Sequence, residues 1–118
     1  VMQRVEAALA GTVADERGRW LLSGDGHAEF ALSGVQEGRV ESVIIDRVRI
    51  DADGRHWIVD YKTSTHEGGS LGEFLAAESD RYRGQLRRYA ELYRNYSGAD
   101  IRCALYFPLL QEFVEVEV

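Results

Sequence analysis

Two aspartates and a lysine near the middle of the chain carry the residue types and spacing that could do chemistry. Asp46 lies in Ile44-Ile45-Asp46-Arg47-Val48, and Asp60 and Lys62 lie in Val59-Asp60-Tyr61-Lys62-Thr63. What relates them is the turn between. Asp51-Ala52-Asp53-Gly54 separates two apolar, β-branched runs, and a common hairpin loop is a type I turn followed by a left-handed residue, normally Gly. With Ala52, Asp53 and Gly54 as that loop, Asp51 faces Arg55, Val48 faces Ile58 and Asp46 faces Asp60.

Directly opposed side chains have Cβ atoms about 4.5–5.5 Å apart, and like charges there repel. Strand alternation puts Ile44, Asp46, Val48, Ile58, Asp60 and Lys62 on one face, and Val43, Ile45, Trp57 and Val59 on the other. Carboxylates set among aliphatic residues need a counter-charge. A hard divalent cation supplies it: Mg²⁺ is held by one or two carboxylates plus waters and phosphate oxygens. Such an ion polarises a phosphoryl oxygen and lowers the pKa of a bound water. A neighbouring lysine could orient or deprotonate that water, or steady developing negative charge. The same three residues would also make a plain ion cluster on the wet face of a hairpin whose other face is core.

The flanking segments must hold this hairpin. From Val1 to about Trp20 the apolar positions Val1, Val5, Ala8, Leu9, Thr12 and Val13 approach helical spacing, with Gly11 and Gly18 as weak points. Ser23-Gly24-Asp25-Gly26 is a turn, and Ala28 to Leu32 a short strand in which Glu29 is a candidate third acid. His66-Glu67-Gly68-Gly69 is a loop leaving the site. Ser70-x-x-Glu73 is a capping box that starts a helix at Leu71. Its apolar stripe runs through Leu71, Leu75, Tyr82, Leu86, Tyr89, Tyr93 and Tyr96, with Ser79 and Gly84 as possible breaks and Gly98 as the C-cap. Gln85 and Tyr89, four apart, share a face of this helix. Ile101 to Phe107 is an apolar strand, Pro108 interrupts, and Phe113 to Val118 alternates like an edge strand. The expected order is helix-β-β-β-helix-β-β in an α/β fold with a mixed central sheet.

The 118 residues make a single domain with a modest core. The chain begins with Val rather than Met, so it is expected to be a fragment of a larger protein. The apolar runs are strand-sized, well below the ~18–20 residues of a membrane helix, and Cys103 is the lone cysteine, in an apolar run. A cytoplasmic protein with no membrane partner is expected. A net charge of -6 excludes a free-standing DNA binder of the ordinary basic kind. Charge is nevertheless local: Arg81, Arg83, Arg87, Arg88 and Arg94 are accompanied only by Asp80 and Glu91 within that segment. Such a run could line a nucleic-acid strand or simply be a solvated helix face.

Ile45-Asp46-Arg47-Val48, then Trp57-Ile58-Val59-Asp60-Tyr61-Lys62-Thr63, then Tyr82 and Gln85-Leu86-Arg87-Arg88-Tyr89 resemble the PD-(D/E)xK nuclease superfamily. The resemblance is closest to the RecB- and AddA-type module at the C-terminus of UvrD-like helicases, and spans roughly Glu29 to Tyr106. It implies a restriction-endonuclease-like core. It also implies that Asp46, Asp60 and the Tyr61 carbonyl bind Mg²⁺ or Mn²⁺, that Lys62 is catalytic, and that Gln85 and Tyr89 support Lys62 or contact DNA. Arg81, Arg83, Arg87 and Arg88 would hold the strand.

By that resemblance the function is a Mg²⁺-dependent, exonuclease V-like DNA nuclease of an ATP-dependent helicase-nuclease in break repair and recombination. Its partners would be single-stranded DNA delivered by the motor, the rest of the parent chain and a second subunit. Two alternatives differ in kind. One is a catalytically inactive nuclease-like domain that binds DNA or acts as a scaffold; the other is an interaction domain on which the acid pair is decoration.

Overall fold

The computed structural model describes residues 2–66 and 68–118. Val1 and Glu67, which the sequence assigns to the first helix and to the loop after the hairpin, lie outside the described residues, as does the side chain of Val5. Helices α1 (Met2–Ala14) and α2 (Glu16–Leu22) are followed by strands β1 (Gly26–Gln36), β2 (Arg39–Ile50) and β3 (His56–Tyr61). A long helix α3 (Leu71–Ser97) then leads to β4 (Ile101–Phe107) and β5 (Glu112–Glu115). The five strands form one sheet in the order β1-β2-β3-β4-β5. Only the β3–β4 pair is parallel, with α3 as its crossover, so the fold is mixed α/β and compatible with the expected restriction-endonuclease-like core.

The central hairpin has the register that its turn predicts. Val48 pairs with Ile58, the Asp51 amide donates to the Arg55 carbonyl at 2.9 Å and the Gly54 amide to the Asp51 carbonyl at 3.1 Å. Gly54 has φ +81°, the left-handed value this loop requires and one that costs a residue with a Cβ.

Both faces of the sheet are covered. On one, Leu32, Ile45, Val48, Ile58, Cys103, Leu105 and Phe107 pack with Leu86, Ala90, Leu92 and Tyr93 of α3. On the other, Val59, Ala104 and Tyr106 pack with Leu21 of α2, flanked by Trp20, Trp57, Tyr61 and Phe113. Burial on two faces explains why Ile101–Phe107 reads as a continuous apolar run rather than an alternating one.

Three expectations are corrected. The N-terminal segment is two helices, because Asp15 leaves the helical conformation and caps α2, accepting from the Gly18 amide at 3.2 Å and from the Tyr106 hydroxyl at 2.7 Å. Gly18 is a point of close approach rather than a weak point: a Cβ there would lie 2.1 Å from the Thr12 carbonyl oxygen and 2.7 Å from Tyr106 Oη. Neither Ser79 nor Gly84 breaks α3, which runs unbroken from its Ser70 cap to Gly98. Among the described residues no helix is long and apolar enough to cross a membrane.

Two glycines with opposite roles give a stability test. Gly54→Ala forces a Cβ into the left-handed region and should destabilise the fold by about 1–2 kcal/mol. Gly84→Ala, where an added Cβ meets nothing within 4 Å in the middle of α3, should stabilise it by about 0.5–1 kcal/mol. Urea denaturation of both variants checks the pair, and a stabilised Gly54→Ala protein would contradict the hairpin geometry.

Candidate active site at a strand fork

The site forms where β2 and β3 part company. Arg47–Val59 is the last pair of their ladder. On the other side of β2, Ala28 pairs with Arg47 and Phe30 with Ile45, while Glu29 and Asp46 between them do not pair. Asp46 is therefore released from the ladder on both edges. Glu29 has φ +48°, a backbone value that interrupts a regular strand.

This irregularity corrects the expected faces. Ile45 and Val48 lie in the same buried cluster although they are three residues apart, and Ile44 is 63% exposed. Val43 also packs on that cluster. Uniform alternation through Asp46 fails because β2 is out of step on the two sides of the unpaired residue. Ile58, Asp60 and Lys62 do alternate as expected with Val59 and Tyr61, which belong to the opposite layer.

The Asp46 carboxylate fills the gap that the diverging strands leave. Its Oδ2 accepts from the Tyr61 amide at 2.8 Å, replacing the ladder acceptor this N–H would otherwise lack. Asp46 and Asp60 consequently come within hydrogen-bonding reach of each other. Burial, and next the contact with Asp60, push the Asp46 carboxyl up to about 6; the Tyr61 amide and Lys62 pull the other way.

Asp60 is 8% exposed. Lys62 Nζ stands 2.8 Å from its Oδ2, close enough for an ion pair. Apart from this ammonium, the buried oxygen has no hydrogen-bond partner among the described residues. The backbone of Lys62 is fixed by its own amide, which donates to the Tyr106 carbonyl at 2.8 Å. Its ammonium lies 3.6 Å from the centre of the Tyr82 ring, a contact that the sequence did not disclose.

The other expected site residues divide. Tyr61 ends β3, and its amide, which donates to Asp46, ties it to the acid pair. Glu29 approaches from the α2 side: it lines a cleft of about 270 Å³ with Leu22, Ala28, Asp46, Arg47 and Tyr61, and neither Asp60 nor Lys62 is in that wall. Gln85 Nε2 donates to the Tyr89 hydroxyl at 2.6 Å, so these two are a unit on α3. Arg81, Gln85 and Arg88 follow one stripe of the helix by their spacing, beside Tyr82. Arg83 faces elsewhere, bonded to the Glu117 carbonyl at 3.0 Å and to Asp80 at 2.5 Å, and Arg87, four residues on, lies on its side of the helix. Arg47 is 7% exposed; its guanidinium anchors the end of α2 through the Leu21 carbonyl at 2.6 Å.

Among the described residues no three His, Cys, Asp or Glu side chains converge on one point. The oxygens gathered here are those of two carboxylates, hard donors, and the buried Asp60 Oδ2 has no hydrogen-bond partner besides the Lys62 ammonium among the described residues. Two neighbouring acids, one of them pushed up to about 6 by burial and next by the other, suit a divalent cation that would complete its shell with water and phosphate oxygens. Cys103 takes no part: it is buried, and burial pushes its thiol up to about 12.

Over residues 1–115 the sequence matches the PD-(D/E)XK nuclease superfamily, and the chain belongs to it. Members typically use divalent metals. A search of curated proteins finds no match.

The raised Asp46 pKa has a stability consequence whose sign is fixed. The unfolded chain gives up this proton near pH 3.8 and the folded, metal-free protein near pH 6, so stability is lost as pH rises through that window. Asp46→Asn keeps an acceptor for the Tyr61 amide and removes the charge. It should stabilise the metal-free protein by about 1 kcal/mol more at pH 8 than at pH 4, a figure discounted for partial solvation. Denaturation in chelator at the two pH values measures this; an equal effect at both would refute the crowded pair.

Proposed function

We propose that this domain is a divalent-metal-dependent deoxyribonuclease that hydrolyses phosphodiester bonds. The observation that carries the reading is the approach of Asp46 to a buried Asp60 whose Oδ2 meets only the Lys62 ammonium among the described residues. Asp46, Asp60 and the Tyr61 carbonyl would hold Mg²⁺ or Mn²⁺. When bound, such an ion polarises a phosphoryl oxygen and lowers the pKa of water.

The chain's own residues do the rest. Burial, and next the contact with Asp60, favour a protonated Asp46, so a cation taken up by the two carboxylates competes with that proton and is held more weakly as pH falls. Lys62 is a donor only while protonated, and its ammonium orients the attacking water or steadies the negative charge that grows on the phosphate. Because Gln85 donates to Tyr89, the Tyr89 hydroxyl proton remains free to be donated to a strand. Arg81 and Arg88, on the same stripe, contact its phosphates.

The parent assembly in this reading is an ATP-dependent helicase-nuclease of DNA break repair and recombination, working in the cytoplasm with a second subunit. A net charge of -6 is tolerable there because a tethered motor supplies the strand at high effective concentration.

The test is degradation of single-stranded DNA by the whole protein with and without Mg²⁺. Asp60→Ala and Lys62→Ala should each lower the rate by about 10³-fold or more, and undiminished cleavage in either would overturn the assignment. Arg81→Gln with Arg88→Gln should flatten the salt dependence of single-strand binding by about 1.4 in log–log slope, while Arg83→Gln leaves it unchanged. Salt-sensitive DNA binding with neither Mn²⁺ binding nor cleavage would mark a non-catalytic DNA-binding domain instead.

A further inference from the structure

Lys62 is attracted from two sides, and the two attractions respond differently to a bound cation. Its Nζ is 2.8 Å from Asp60 Oδ2 and 3.6 Å from the Tyr82 ring centre. Asp60 Oδ2 is buried, with no hydrogen-bond partner besides that ammonium among the described residues, so a hard cation taken up by this carboxylate competes with Lys62 there. A second positive charge on that oxygen weakens its hold on the ammonium. The ring is not contested in the same way, because Mg²⁺ and Mn²⁺ take oxygen ligands whereas an ammonium is drawn to a π face.

The ring itself is well supported. Tyr82 packs against the main core cluster, on a helix whose Leu86 and Tyr93 are buried in that cluster. The Lys62 side chain is only 17% exposed, which strengthens a cation–π contact. Arg81 also lies 5.3 Å from this ring and pairs with Glu78 at 3.9 Å, so the aromatic face links the reaction centre to the exposed arginine stripe.

Building on the nuclease reading above, we propose that Tyr82 is a positioning residue. Its ring keeps the Lys62 ammonium beside the aspartate pair when Asp60 engages a cation. The ring face makes the contact, so phenylalanine serves in its place and leucine, of comparable packing value, does not.

Two readouts separate this role from a structural one. In the metal-free protein, the Lys62 ε-methylene protons should show an upfield ring-current shift by NMR. Tyr82→Phe should retain it and Tyr82→Leu should lose it. In Mg²⁺-dependent cleavage of single-stranded DNA, Tyr82→Leu should lower kcat about tenfold with KM within about twofold of wild type, and Tyr82→Phe should stay within about threefold. An unshifted Lys62 signal in wild type, or one unmoved in Tyr82→Leu, overturns the contact. A signal lost in Tyr82→Leu with kcat unchanged overturns its part in the reaction. Wild-type protein that cleaves no DNA overturns the nuclease reading and, with it, the catalytic half of the proposal; the metal-free NMR shift reports the contact independently.

Discussion

The Tyr61 amide, left without a strand partner where β2 turns away from β3, is satisfied by the side chain of Asp46 at 2.8 Å. A buried N–H left unpaired costs about 1–3 kcal/mol, so an acceptor at this partly buried amide stabilises the fork. Supplying one from a carboxylate ties three things together. The strands diverge, Asp46 is held toward Asp60, and the end of β3 at Tyr61 is pinned to β2. The geometry of the site and the integrity of the sheet are thus the same bond viewed from two ends.

Crowding of the two carboxylates is the cost of that arrangement. The fold meets it with a lysine whose backbone is locked to β4 through the Tyr106 carbonyl and whose charge is shared between Asp60 and the Tyr82 ring. Residual strain appears as the elevated pKa of Asp46. Metal-free protein therefore holds a site that favours a proton where the loaded protein would favour a divalent ion. Stability and function pull in opposite directions at this one residue, as is common where like charges are assembled for chemistry.

The two covering layers have separate tasks. α3 packs on the sheet along the stripe of Tyr82, Leu86, Tyr89 and Tyr93 and carries Arg81, Gln85 and Arg88 along the adjoining one. α2 closes the opposite face through Leu21 and Trp20 and is fastened to β2 by Arg47, whose buried guanidinium reaches the Leu21 carbonyl. Asp46 and Arg47 are adjacent in sequence yet serve opposite faces, one the site and the other the scaffold. That is why Ile-Asp-Arg works as a unit.

Local chemistry alone was enough to determine the hairpin register, the start of α3 at its Ser70 cap and its end at Gly98, because turns and caps depend on residues a few positions apart. Counting from Gly54 sets Asp46 opposite Asp60, but the ladder stops one pair short, at Arg47–Val59, and Asp46 instead turns its carboxylate to the Tyr61 amide. Tertiary structure alone decided what depends on distant partners. The break at Asp15 is stabilised by a hydroxyl from Tyr106, ninety-one residues away. The misphased faces of Ile44 and Ile45 come from a strand that loses its neighbours on both sides at Asp46. Arg83 is drawn to the C-terminal segment, bonding the Glu117 carbonyl thirty-four residues away. The Tyr82–Lys62 contact joins a helix to a strand end only once both pack on the same sheet, and period and propensity carry no information about such a meeting.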